Sequence, residues 1–414
     1  MKNNQLQTNT PLGWQELKLA NIFEFKNGLN KEKKYFGHGT PIINYIDVYR
    51  GGGLYKNNIF GKVEVNKSEI DRFNVKKGDV FFTRTSETLK EIGFSAVALD
   101  DFEDAVFSGF VLRARPKGNL LTPGYSQYYF KTNLARKEIM EKSSYTTRAL
   151  TSGTSLNHVN IKLPPIPEQN RIVSILETWD KAIDYLENKI IIKKQIKKGL
   201  MQNLLSGKKR LKGFTKDWEL SKLGNFLINA GPRNRKLSVS RVLSVTNKYG
   251  FILPEEQFAR VVASADLSNY KIVFRGDFAY NPSRINVGSI SRLDKYDSGV
   301  LSPMYVVFKT NEKIDSDYFY HWLDTAEANG KIRSCASGSV RESVDFKSFC
   351  SIKINVPDIE EQRAIADILN TSEEEITILE NKLKALQEQK RYLLNNLITG
   401  TIRTPEILSI KVTQ

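Results

Sequence analysis

Cysteine is scarce. Two residues, Cys335 and Cys350, in a chain of 414 cannot make a disulfide framework. A reducing, intracellular setting is therefore expected. The three histidines, His38, His158 and His321, are scattered, and no His/Cys grouping has metal-ligand spacing. No run approaches 18 apolar residues, which excludes a spanning helix. The start, Met1-Lys2-Asn3-Asn4-Gln5, leads on without an apolar stretch and is not expected to be a signal peptide, so the chain reads as cytoplasmic. Acid is the scarcer charge: 46 Asp and Glu stand against 62 Lys and Arg, a net +16. That excess points to a polyanionic partner, nucleic acid before membrane. With 40% hydrophobic and 10% aromatic residues the chain has the material for folded cores, in one to three domains.

Catalytic constellations are missing too. Gly51-Gly52-Gly53 lacks the Gly-Lys-Ser/Thr that completes a phosphate loop and reads as a turn. Asn281-Pro282-Ser283 partly matches the Asn-Pro-Pro-Tyr of amino-methyltransferases, but Arg284 occupies the place of the stacking aromatic. No glycine-rich cofactor loop precedes it, and no Asp/Glu-X-Lys nuclease pattern sits in a strand context. No catalytic, cofactor-binding or metal-binding residue is assigned.

What the chain does have is a duplication. Pro164-Pro165-Ile166-Pro167-Glu168-Gln169 leads to Leu186-Glu187-Asn188-Lys189-Ile190 and on to Asn203-Leu204-Leu205-Ser206-Gly207. Val356-Pro357 and Glu361-Gln362 lead likewise to Leu379-Glu380-Asn381-Lys382-Leu383 and Asn396-Leu397-Ile398-Thr399-Gly400. Residues 168–207 recur 193 positions later without a gap. The stretches before them repeat loosely. Trp14, Leu19 and Asn21 echo in Trp218, Leu223 and Asn225; Gly78-Asp79 echoes in Gly276-Asp277. Tyr129-Phe130 and Leu134 are matched with Tyr318-Phe319 and Leu323, and Ser152-Gly153 with Ser337-Gly338. Each half is thus a divergent domain followed by a nearly constant segment.

Each constant segment reads as one helix with a heptad stripe. The packing residues are Ile172, Leu176, Ile183, Leu186, Ile190, Leu200 and Leu204 in the first copy. In the second they are Ile365, Leu369, Ile376, Leu379, Leu383, Leu386, Leu393 and Leu397. A helix of 39 residues extends about 59 Å, a length suited to a spacer. Residues 360–380 carry seven acids and one base, whereas Lys193, Lys194, Lys197 and Lys198 close the first helix without an acid. An antiparallel pair sets acid opposite base at both ends.

The divergent domains alternate β-like runs with turn signals. Runs at 41–46, 80–83, 94–99 and 109–112 precede a helix over 125–139; runs at 241–246, 287–290 and 305–308 precede one over 317–328. The fold class is therefore α+β. Two similar mixed α/β domains are separated by two long helices paired as an antiparallel coiled coil. The expected partition is 1–163 for the first domain, 164–207 for the central helix, 208–356 for the second domain, 357–401 for the C-terminal helix and 402–414 for a tail. Both domains are basic: 23 Lys/Arg against 16 Asp/Glu over 16–162, and 24 against 15 over 208–353. Two basic domains on a spacer suit a duplex contacted at two places. Candidate DNA contacts lie where strands enter polar loops: Lys33, Lys34, Tyr35, Thr83, Arg84, Thr85, Arg148, Thr151 and Ser152 in the first domain. In the second they are Arg233, Arg235, Lys236, Asn281, Ser283, Arg284, Ser339 and Arg341. Arginine offers a fork to guanine and Asn one to adenine, while Lys more often meets phosphate.

This order, with the Pro-…-Glu-Gln helix starts and Asn-Leu-x-Ser/Thr-Gly helix ends, resembles the specificity (S) subunit of type I restriction-modification systems over almost the whole chain. Asp358 departs from the Pro165 of the other copy. The resemblance implies two target-recognition domains reading the halves of an interrupted double-stranded DNA sequence, with the helices setting the gap. It implies two adenine methyltransferase (modification) subunits and motor-nuclease (restriction) subunits as partners. S-adenosylmethionine, ATP and Mg would be bound only by those partners, and this chain would be no enzyme. The specificity chain of a combined cutting-and-methylating system, or a structural coiled-coil DNA-binding protein, remain the alternative readings.

Overall fold

The computed structural model describes residues 10–257, 266–336 and 343–405. It contains two compact units, one of Met1–Leu186 with Lys382–Gln414 and one of Glu187–Asn381. The sequence repeat is 193 residues long, and the unit boundary obeys it: Leu186 and Leu379 are counterparts, and the cuts fall just beyond them.

In the first unit a five-stranded sheet runs in the order Phe23–Asn27, Val111–Pro116, Val80–Thr83, Ser95–Ala98, Gly52–Leu54. Only its last pairing is parallel. Val80, Phe82, Leu112 and Ala114 face one core with Tyr125, Tyr129 and Phe130. Phe81, Ala96 and Val111 alternate into a second core with Phe107, as the period of two in a strand demands. The second unit has a four-stranded sheet, Leu227–Ala230, Val306–Thr310, Phe278–Tyr280, Ile290–Arg292, all antiparallel. Phe278, Tyr280 and Phe308 pack with Phe319, Trp322 and Phe349 on one side. Ala279 and Val307 pack with Leu243, Val273 and Leu301 on the other.

Each domain is tied at its ends by a short antiparallel ladder, Gln15–Lys18 with Asn160–Leu163 and Glu219–Lys222 with Lys353–Val356. From those ladders the chain enters the long helices, Ile166–Leu204 and Ile359–Thr399. Each is followed by a glycine in the left-handed region, where a side chain would be strained: Gly207 (φ +68°) closes the turn after Leu204, and Gly400 (φ +73°) directly follows Thr399. In the first unit residues 166–186 pack with 382–399; in the second, 187–204 pack with 359–381. The start of each helix therefore lies with the end of the other, and the pair is antiparallel. The charges read from the sequence meet accordingly. Lys193 pairs with Glu375 and Lys194 with Glu380, both at 2.7 Å, and Lys197 pairs with Glu373. Lys390 pairs with Asp180 in the first unit. The last two pairs are the same interaction, displaced by the repeat.

Of the heptad stripe, Ile172, Leu176, Ile183, Leu186, Ile190, Leu204, Ile365, Leu369, Ile376 and Leu397 are buried. Leu200, Leu379, Leu383, Leu386 and Leu393 are half-buried.

Several local expectations need correction. The helix expected over 125–139 is two, Pro123–Tyr129 and Asn133–Lys142, because Thr132 caps a new start by accepting a hydrogen bond from the Ala135 N–H. The helix expected over 317–328 is also two, Ser316–Leu323 and Ala326–Ala336. Ser337-Gly338, matched in sequence with Ser152-Gly153, lie outside the described residues. The strand expected at 287–290 is mostly the turn around Gly288, and only Ile290–Arg292 pairs. The match of Tyr129-Phe130 to Tyr318-Phe319 is four residues out of register. Thr122 and Asp315 both cap a helix and both donate their backbone N–H to the repeat glutamine, Gln169 or Gln362. That fixes a displacement of 193, so Tyr125 corresponds to Tyr318 and Tyr129 to Trp322.

Candidate nucleic-acid interface

Three groups of candidate residues in the first unit surround a single turn. Residues 108–111 form it, closed by the Val111 N–H donating to the Ser108 carbonyl at 3.0 Å. The strand Phe23–Asn27 delivers the loop carrying Lys33, Lys34 and Tyr35, and the Gly109 N–H bonds the Leu29 carbonyl of that loop at 2.7 Å. The strand Val80–Thr83 delivers Arg84, whose guanidinium donates to the Gly109 carbonyl at 2.9 Å. The hairpin of Ser144–Tyr145 and Ala149–Leu150 is joined on by the Thr151 N–H, which donates to the Arg84 carbonyl at 2.9 Å. Packing at the turn is tight. A Cβ on Gly28 would stand 2.2 Å from the Ser108 carbonyl oxygen, and one on Gly109 would stand 1.9 Å from Asn30.

The roles of these residues differ. Lys33, Lys34 and Arg148 are exposed; Lys34 pairs with Glu32 at 2.8 Å and Arg148 with Glu87 at 3.1 Å. Tyr35 is half-buried with the ammonium groups of Lys31 and Lys34 4.8 and 5.0 Å from its ring. Thr83 is fully buried, and its hydroxyl accepts the Phe94 N–H. Thr151 is buried, Thr85 lies in a ladder with Leu150, and Ser152 caps the turn of helix Gly153–Asn157. Thr83 and Thr151 therefore support the surface from beneath, while Thr85 and Ser152 stay half-exposed beside it. Arg84 is half-buried and holds the turn through Gly109.

The second unit repeats the arrangement with other residues. The loop after strand Leu227–Ala230 carries Arg233, Arg235 and Lys236, all exposed. It is wrapped on buried Asn234, whose side chain donates to the Val239 carbonyl at 2.8 Å and accepts the Val239 N–H at 3.3 Å. The wrap forces Leu237 to φ +51°, a strained conformation for a branched side chain. The loop is fastened to strand Lys271–Phe274 by the Ile272 N–H, which donates to the Pro232 carbonyl at 2.8 Å. Burial and the neighbouring Arg233 cation hold the Lys271 ammonium below its usual pKa. Asn281 is buried and accepts the Ser283 N–H at 3.1 Å, which presents Ser283 and Arg284 to solvent. The Val344 N–H donates to the Pro282 carbonyl at 3.0 Å, the counterpart of the Thr151–Arg84 bond. Ser339 and Arg341 lie outside the described residues.

Sequence reasoning missed the groups that fasten these domains to the helices. Glu168 accepts Trp14 Nε1 at 3.1 Å and both arms of Arg403, at 2.7 and 2.9 Å. Glu361 accepts Trp218 Nε1 at 3.2 Å and both arms of Arg210, at 2.7 Å each. Arg210 and Arg403 are themselves 193 apart, a signal that could have been found just past the helix-ending glycines. Among the described residues no group of three or more His, Cys, Asp or Glu could hold a metal ion. Among them, too, no helix is long and apolar enough to cross a membrane.

The chain is similar to known proteins along its length. The family model of the type I restriction modification DNA specificity domain matches twice, over residues 11–197 and 215–388. A Methanocaldococcus jannaschii chain assigned as the MjaX type I restriction enzyme specificity subunit is 26% identical over 416 residues, covering 95% of this chain and 94% of that one. The EcoKI specificity subunit of Escherichia coli is 28% identical over 171 residues, 41% of this chain and 36% of that one. Among solved structures, the type I restriction-modification S subunit from M. genitalium aligns with a TM-score of 0.54 at 15% identity, over 96% of this chain and 98% of that one. The HsdS subunit from Thermoanaerobacter tengcongensis aligns with a TM-score of 0.54 at 16% identity, over 95% and 98%. With both divergent domains and most of both helices matched by one family, the chain belongs to the type I restriction-modification DNA specificity family and is a specificity (S) subunit.

Proposed function

We propose that residues 1–163 and 208–356 are two target-recognition domains, each reading one half of an interrupted duplex DNA sequence. The paired helices of residues 164–207 and 357–401 set the gap. One observation carries this reading: the same loop, turn and strand-end constellation is built twice on a shared scaffold from different side chains. Arg84, Arg148 and Lys33 in one domain give way to Arg233, Arg235, Lys236 and Arg284 in the other. Equal scaffolds with unequal surfaces suit two half-sites of different sequence. Two adenine methyltransferase subunits and motor-nuclease subunits assemble on the chain and supply all chemistry, with S-adenosylmethionine, ATP and Mg bound by them.

Methylation mapping of the host genome with and without this gene tests the reading. Loss of one bipartite methylated motif with the gene is expected. Replacing residues 208–356 by the matching domain of a relative should change one half of that motif only. Methylation by the purified chain alone, or a change in both halves together, would overturn it.

A further inference from the structure

The turn at the centre of each constellation presents a large apolar side chain to water. In the first unit this is Phe110, 69% exposed. Register defines its counterpart. Val80 pairs with Ala114, and Phe278, the residue after Gly276-Asp277, pairs with Phe308. Counting back from those pairs equates Ser108 with Ser302, Phe110 with Met304 and Val111 with Tyr305. Met304 is 56% exposed. The closing bond is the same in both turns, Tyr305 N–H to the Ser302 carbonyl at 3.0 Å matching Val111 to Ser108 at 3.0 Å.

Single exposed hydrophobic residues are ordinary. Recurrence at one register position, in two domains whose neighbouring residues differ, is not. Both turns are also stiff. Arg84, the Leu29 carbonyl and the close approach of Gly28 fix the first. Pro303, with its fixed φ, and Lys271 Nζ donating to the Tyr305 carbonyl fix the second. Solvent gains nothing from a rigidly held, exposed Phe or Met. The surroundings select the occupant: beside each turn stands a loop of exposed cations, Lys33 and Lys34 in one unit and Arg233, Arg235 and Lys236 in the other. An apolar tip beside a loop of exposed cations fits a polyanion with an apolar interior, which is stacked duplex DNA.

We propose that Phe110 and Met304 are wedges, one for each half-site, that enter between neighbouring base pairs and partly unstack them. Phe and Met are both side chains used in this way, and unstacking lets bent DNA cover more protein surface. This rests on the two-domain reading above. It adds that part of the sequence choice lies in the ease of opening one base step, a preference for flexible pyrimidine–purine steps without any base-edge hydrogen bond.

The test uses the full chain assembled with its methyltransferase subunits and a duplex bearing the motif found by mapping. 2-Aminopurine is placed in turn at each step other than the methylated adenine. Wild type should raise fluorescence at one step in each half-site. Phe110→Ala should abolish the rise in one half and Met304→Ala in the other, each weakening binding about tenfold with the salt slope unchanged. Phe110→Leu should retain most of the signal. Unchanged fluorescence and affinity in both alanine variants would overturn the proposal. So would loss of binding caused by failure to assemble with the methyltransferase, read by the mass of the complex. If wild type directs no methylation, the two-domain reading itself falls, and mapping reports that separately.

Discussion

Gln169 and Gln362 show what a repeated motif does physically. Each amide accepts one backbone N–H, from Thr122 at 2.9 Å or Asp315 at 2.8 Å. Each donates to two carbonyls, Leu120 and Pro164 or Lys313 and Pro357. Both are buried, so the helix start, the approach to it and the domain's own helix cap share one fully used side chain. Gln362→Glu would face a charge toward two carbonyls with no donor left, and about 3 kcal/mol of stability should be lost. Urea unfolding of the variant measures this, and a loss below about 1 kcal/mol would show the site relaxes. At the interface, Arg84 and Arg284 should separate. Arg84 is a positioning residue for the turn, so Arg84→Ala should depress methylation at every sequence tested and lower the melting temperature. Arg284 is exposed, so Arg284→Ala should leave stability unchanged and cost about 1–3 kcal/mol of discrimination at one base pair. Equal weakening on all sequences with a shallower salt slope would assign Arg284 to phosphate instead.

Helices were more legible than turns. A period of 3.5 over forty residues and the acid–base asymmetry of the two copies are enough to predict both long helices and their direction, because burial and charge act along the whole element. The turn at 108–111 was not legible: Gly109-Phe110-Val111-Leu112 reads as a strand by composition, and only Val111–Pro116 is one. Asn234 was equally hidden, since an asparagine that holds a loop together reads like any polar loop residue. The misregister of Tyr129 with Tyr318 came from an aromatic pair repeated by coincidence, while the true anchors, Thr122 and Asp315, are chemically different caps. Two glycines test this account of the elements. Gly199 lies inside the central helix with open space where a Cβ would go, so Gly199→Ala should stabilise by about 0.5–1 kcal/mol. Gly28→Ala would drive a Cβ into the Ser108 backbone and should destabilise the first domain while leaving recognition by the second intact. Thermal melting decides both, and a neutral Gly28→Ala would mean the loop and turn separate without loss.

The ungapped 193-residue displacement of 168–207 onto 361–400 contrasts with domains whose loops drift in length, and a strictly kept length is what a ruler needs. Four residues inserted after Lys189 add about 6 Å of helix and about 40° of rotation. DNA rises 3.4 Å per base pair, so the insertion spans nearly two base pairs. The heptad shifts by four places, a stutter that local unwinding absorbs. Bowing of the uninterrupted partner helix takes up part of the added length. The expected outcome is a methylated motif with both half-sites unchanged and a gap longer by one or two base pairs. A paired insertion after Lys382, at the position displaced by the repeat, removes the mismatch between the helices and should give the full two base pairs. Methylation mapping of both variants separates length from register. A changed half-site with an unchanged gap would assign the spacing to the domains, and an unchanged motif in the paired variant would end the idea that the helices measure DNA.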